Sequence, residues 1–186
     1  MSRTALLIVD LQNDYFQGGA MKLAGIDEAS GNARRLLDHA RTCRWPVFHV
    51  RHLSIREDAT FFLPDTPGSE IHASVAPREG DPVIIKHFPN SFRGTDLEKA
   101  LRDQSVERLL VCGAMSHMCI DTTVRAAFDM GFTCLVAHDA CATRDLAFKG
   151  KSIPAVSVHT VFMAALNGSF ARVTSTDEIL ASPGMD

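Results

Sequence analysis

Three ionisable side chains stand at or just beyond the ends of apolar runs. Asp10 follows Ala5-Leu6-Leu7-Ile8-Val9, and Lys86 follows Val83-Ile84-Ile85. Cys119 closes the run Leu109-Leu110-Val111-Cys112-Gly113-Ala114-Met115-Ser116-His117-Met118-Cys119, in which an apolar strand breaks at a glycine. The residues after it, Ile120 to Met130, read as helix, which puts the thiol at or near a helix N-terminus. Unpaired backbone N–H groups and the macrodipole favour negative charge there, and the thiolate is the nucleophilic form of cysteine. By residue type alone a cysteine reads as a small buried hydrophobe; the order strand, glycine, turn, cysteine, helix favours the nucleophile. In open parallel sheets the ligand crevice lies beyond the carboxyl ends of the strands, so Asp10, Lys86 and Cys119 could face one crevice. Any one of them alone would read as an ordinary strand-end residue.

The elements that must position these groups alternate. Ala5 to Val9 reads as a buried strand, and Asp27 to Cys43 has helical spacing, with Ala33, Leu36, Leu37 and Ala40 on one face. Pro46 opens a second strand, Val47 to Val50, and Val83 to Ile85 forms a third. Thr95-Asp96-Leu97-Glu98 fits a capping box, so a helix is expected from there to about Asp103. Arg108 to Cys112 and Thr133 to Ala137 are the fourth and fifth strands, and Gly131 ends the helix between them. Ile153 to Leu166 reads as helix, with Val156, His159, Thr160 and Met163 along one side, and Phe170 to Val173 is the sixth strand. Apolar strands alternating with helices imply a parallel sheet covered on both faces. The segment from His52 to Gly80, 29 residues with little periodicity, is long enough to be a lid or binding loop, or else an ordered surface excursion or an oligomer contact.

Composition excludes several classes. At 186 residues the chain is expected to be one domain, residues 1–186, able to bury a substantial core. A formal charge of −3 and the absence of a dense Lys/Arg run argue against a nucleic-acid surface. The first apolar run is too short to span a membrane and no cleavage-site pattern comes after it. Five cysteines, an odd number with no CxxC pair, point to reduced thiols in the cytoplasm.

The motifs resemble those of one family. Leu7-Ile8-Val9-Asp10-Leu11-Gln12-Asn13-Asp14-Tyr15-Phe16 is similar to the opening signature of the isochorismatase-like cysteine hydrolases. Lys86 with Asn90-Ser91-Phe92 and Gly94-Thr95-Asp96-Leu97 resembles the family's lysine segment. Gly113 to Ile120 resembles its cysteine segment, and Asp129-Met130-Gly131-Phe132 and His138-Asp139-Ala140-Cys141-Ala142 resemble stretches downstream of that segment. The likeness runs along nearly the whole chain in order.

That resemblance implies a three-layer αβα fold with a mostly parallel six-stranded sheet, order 3-2-1-4-5-6, and a homo-oligomer, dimer or tetramer, acting on a small molecule. It implies an Asp10–Lys86–Cys119 triad, a non-proline cis peptide near Met115-Ser116, and an oxyanion hole from backbone N–H groups of Cys119 and of Met115 or Ser116. The reaction then expected is hydrolysis of a C–N bond in a small amide or carbamoyl compound through a thioester on Cys119. Acid cleavage of a vinyl ether by Asp10 is the alternative within the family, and a non-catalytic binding or assembly module is the alternative outside it. The nicotinamidase branch carries a metal at an Asp-x-His motif after the second strand. Here that stretch is His49-Val50-Arg51-His52-Leu53-Ser54, and His49 and His52 would face opposite sides of a strand, so neither metal nor cofactor is expected. Gln12, Phe62, Phe88, Ser91 and His117 are the candidates for substrate contact. For Gln12, with Asn13, fixing the Asp10 loop is the stronger reading, and Phe62, with Phe61, could equally pack the core.

Overall fold

Residues Arg3–Val9 form the central strand, β1, because their side chains alternate between two cores. In the computed structural model, which describes residues 3–181, Leu6 and Ile8 pack on one face of the sheet and Ala5, Leu7 and Val9 on the other. β1 has parallel neighbours on both sides, β2 (Val47–His52) and β4 (Val106–Ala114). β3 (Val83–Lys86) lies beyond β2, and β5 (Thr133–Ala142) beyond β4. A short separate hairpin comes next, β6 (Leu146–Phe148) with β7 (Lys151–Ile153), before β8 (Arg172–Thr174) completes the sheet beside β5. The six-stranded sheet is parallel throughout, in the order β3-β2-β1-β4-β5-β8. The expected order therefore holds, with the sixth sheet strand being the eighth in the chain.

Helices cover both faces. α1 (Ile26–Thr42) buries Ala33, Leu36, Leu37 and Ala40 against one face, joined by α5 (Thr176–Ala181) through Ile179. α2 (Leu97–Asp103), α3 (Asp121–Asp129) and α4 (Ala155–Leu166) supply Leu97, Leu101, Val124, Ala127, Met163 and Leu166 to the other. No helix among the described residues is long and apolar enough to cross a membrane.

Three local expectations differ from the structure. α4 begins after Pro154 and turns Ala155, Val158, Met163 and Leu166 inward, which leaves Val156 and Thr160 exposed. Its sequence is apolar on nearly every side, so periodicity could not select the buried face. The capping box does not close: Thr95 Oγ1 accepts the Leu97 N–H at 3.3 Å and donates to Ser91 O, and α2 starts at Leu97 with no side-chain cap from Asp96. β5 runs on to Ala142 because its pairing with β4 skips from Val111↔Val136 to Gly113↔Cys141, so that residues 137–140 bulge out of the ladder.

Candidate active site

The end of β1 turns sharply. Asp10 adopts a left-handed backbone (φ 52°), a region that aspartate tolerates better than most residues. Its N–H donates to Val50 O and its carbonyl accepts the Gln12 N–H, each at 3.0 Å. The end of β4 comes unusually close to β1. Gly113, opposite Val9, has φ 127°, and a Cβ built there would lie 1.9 Å from Val9 O. That approach sets the chain beyond β4 beside Asp10. Ala114–Met115 is a cis peptide, one bond before the expected place. A wide π-type turn, Ser116–Ile120, then carries Cys119 directly into α3.

The three strand-end groups meet. The side chains of Asp10 and Lys86 are fully buried, and Cys119 is nearly so. Lys86 Nζ lies 2.7 Å from Asp10 Oδ2 and 3.2 Å from Cys119 Sγ. The Asp10 contact is an ion pair by distance whose alignment falls short of a hydrogen bond, and Oδ1 has no hydrogen-bond partner among the described residues. Burial opposes charge on Lys86, but the facing Asp10 and Cys119 outweigh it and raise its pKa, so it stays an ammonium. Burial, reinforced by Asp10 and opposed by Lys86, pushes the Cys119 thiol up to about 12. The expected thiolate is thus not the resting form: desolvation outweighs the helix end. The arrangement is a protonated thiol beside a carboxylate able to take its proton and an ammonium able to steady the resulting charge.

A family model described as the isochorismatase domain matches residues 4–178. The chain belongs to the isochorismatase family. An uncharacterized isochorismatase family protein, YddQ of Bacillus subtilis, is 52% identical over 95% of this chain and 98% of its own. Streptothricin hydrolase of Streptomyces noursei is 32% identical over 96% of this chain and 68% of its own. N-carbamoylsarcosine amidase of an Arthrobacter species is 26% identical over 96% and 70%. Among solved structures, a protein described as an isochorismatase hydrolase from Oleispira antarctica superposes with a TM-score of 0.93 at 49% identity, covering 97% of each chain. A cysteine hydrolase from Pseudomonas syringae gives a TM-score of 0.89 at 26% identity, covering 96% of this chain and 91% of that one.

In this member of the isochorismatase family several of the candidates for substrate contact have partners that hold the site together. Gln12 is wholly buried; its amide donates to His52 O (2.9 Å) and Ser69 O (2.8 Å) and accepts the His52 N–H (2.7 Å). Phe62, 1% exposed, packs on Tyr15 with ring centres 4.6 Å apart, and its N–H donates to Asp14 Oδ2 at 2.6 Å. It anchors the long 52–80 segment and is no free lid. Ser91 is buried and bonded to Thr123 of α3, tying the lysine segment to the cysteine helix. Phe88 is half-buried, offers its carbonyl to Lys86 Nζ at 3.1 Å, and carries the Arg93 guanidinium 3.7 Å above its ring. His117 is half-buried and bonded through Nδ1 to Thr143 Oγ1 at 2.6 Å. Of the residues proposed for the oxyanion hole, Met115, Ser116 and Cys119 all lie buried in or at the π-type turn. A cavity of about 450 Å³ between α1, β5 and the start of α4 contains none of the triad, so chemistry and not cavity size locates this site.

Two residues at the site had no role in the sequence reading. Tyr15, the only tyrosine of the chain, is buried; burial above all, with the nearby Asp10 carboxylate adding to it, raises its phenol well above the ordinary range, so it stays neutral. His52 ends β2 opposite Lys86 of β3, with Nδ1 2.9 Å from Lys86 Nζ. Burial, then Lys86, lowers its pKa to about 4. His49 does face elsewhere, buried and 3.7 Å from Asp81 Oδ2, and burial lowers it to about 4 as well, so that contact is not an ion pair at neutral pH. One ligand atom each from Asp10, His52 and Cys119 lies within 4.8 Å of the others, a set of donors that suits a zinc-like ion. The Lys86 ammonium already contacts all three residues, so a metal ion there would have to displace it.

Proposed function

We propose that the chain is a cysteine hydrolase that cleaves the C–N bond of a small amide or carbamoyl compound. The observation that carries this reading is the buried Lys86 Nζ lying 2.7 Å from Asp10 Oδ2 and 3.2 Å from Cys119 Sγ. The names of two relatives, an amidase and a hydrolase, support the same reaction class. On this reading Asp10 takes the thiol proton as sulfur attacks the carbonyl carbon, and the carbonyl electron pair moves to oxygen. The Lys86 ammonium offsets the charge developing on sulfur, and backbone N–H groups of Cys119 and of Met115 or Ser116 hold the oxyanion, each such donor being worth roughly 2.7–4 kcal/mol. Collapse breaks the C–N bond as Asp10 returns its proton to nitrogen, and ammonia or an amine leaves. A water deprotonated by Asp10 then attacks the thioester, the C–S bond breaks, and the thiol regains its proton.

A panel of small primary amides and carbamoyl compounds, assayed for ammonia release, tests the reading. Release from one or more of them by the native protein, and none by a Cys119→Ala variant that melts like the native protein, is the expected result. Amide turnover retained by Cys119→Ala would overturn it, and vinyl-ether cleavage surviving in that variant would favour Asp10 acting as an acid instead.

A further inference from the structure

The His52 ring hydrogen-bonds to Lys86, and a ring nitrogen also lies within 4.8 Å of the Cys119 sulfur. Parallel pairing of β2 with β3 sets His52 opposite Lys86, which brings imidazole and ammonium together at 2.9 Å. An ammonium has no lone pair, so Nδ1 must be the acceptor and the ring proton sits on Nε2. The histidine is itself held from behind. The Gln12 side chain both accepts from its N–H and donates to its carbonyl, and its ring lies 5.9 Å from that of Phe62. The backbone of His52 is therefore held by clamps that do not depend on its side-chain bond.

Lys86 needs that support. Its three N–H groups go to His52 Nδ1 at 2.9 Å, Phe88 O at 3.1 Å and Cys119 Sγ at 3.2 Å, while Asp10 Oδ2 at 2.7 Å is an ion-pair contact off those directions. Of the three acceptors the sulfur is the weakest. An ammonium held by the Asp10 ion pair alone could swing away from the sulfur; one whose other two N–H groups are taken by His52 and the Phe88 carbonyl keeps the third turned toward it.

Resting on the cysteine-hydrolase reading, we propose that His52 is a positioning residue of this site: its Nδ1 takes one N–H of Lys86 and so fixes the ammonium where it stabilises the Cys119 sulfur as the thiolate forms.

Two variants of the full chain test this, His52→Leu and His52→Asn, with iodoacetamide as the probe and peptide mass mapping of each cysteine as the readout. Asparagine places an acceptor oxygen near the position of Nδ1, whereas leucine fills space without accepting. Thermal melts confirm that both fold. The expected result is Cys119 alkylation slowed roughly tenfold in His52→Leu, the loss of one hydrogen bond to a charged group, and restored to within about threefold of native in His52→Asn. Equal rates in native protein and His52→Leu, or an equal deficit in the two folded variants, would overturn the positioning role and leave the nucleophile standing. Native Cys119 reacting no faster than Cys134 and Cys141 would instead overturn the cysteine-hydrolase reading, and this proposal with it.

Discussion

Gly113 and Val9 approach so closely that a single added carbon on Gly113 would lie 1.9 Å from the Val9 carbonyl oxygen. Because φ at Gly113 is also 127°, a side chain there is strained twice over, against backbone that cannot yield. Gly113→Ala is expected to cost about 3 kcal/mol or more in urea unfolding, the range of overpacked and strained core sites. The variant should also lose selective labelling of Cys119, since the shift falls on the contact that sets Asp10 beside the cysteine turn. A variant of native stability would contradict this account of the β1–β4 contact.

Asp14 ties the long segment to the Asp10 loop. Its carboxylate accepts the Phe62 N–H at 2.6 Å and the Ala20 N–H at 3.2 Å from a site only 7% exposed. Asp14→Ala leaves both donors without that acceptor and should cost about 2–3 kcal/mol. Limited proteolysis should then cut the 52–80 segment faster than in the native protein, while equal cutting would show that Phe62 packing alone holds it.

Asp10→Asn keeps the shape of the side chain but removes its ability to shuttle a proton. Turnover of any amide substrate should fall at least about 100-fold, the usual contribution of a positioned general base. Circular dichroism should show an intact fold, and turnover within a few-fold of native would remove Asp10 from the mechanism.

Acid should destabilise the fold through two histidines. Burial lowers both His49 and His52 from 6.5 to about 4, so the unfolded chain binds more protons than the native one between those values. The stability of the neutral rings is complete above about pH 6.5 and is lost as pH falls toward 4, roughly 3 kcal/mol at most for each. Urea unfolding at pH 7.0 and 4.5 measures it, and a His49→Phe variant that folds should show a shallower pH dependence.

The ends of strands carried most of what could be read from the chain. Asp10, Lys86 and Cys119 were legible because each lies at or past the end of an apolar run, and parallel sheets gather such ends at one rim. His52 was not legible in this way. Its partner is set by the register His52↔Lys86 between two strands that are separated by the long aperiodic segment, and periodicity says nothing about register. Gln12 and Phe62 carried both a pocket and a structural reading, because the partners they have, Ser69, Tyr15 and the His52 backbone, converge only in three dimensions. The ionisation of Cys119 obeyed burial and not the helix end, and burial of a turn is not written in its residue types.

The most direct measurement of the central claim is the intact mass of the protein acid-quenched during turnover of an amide substrate, with peptide mapping of the product. A thioester mechanism predicts an added mass equal to the acyl or carbamoyl fragment, located on Cys119 and absent from Cys119→Ala. Steady turnover with no adduct on Cys119, and the same rate in Cys119→Ala, would contradict it.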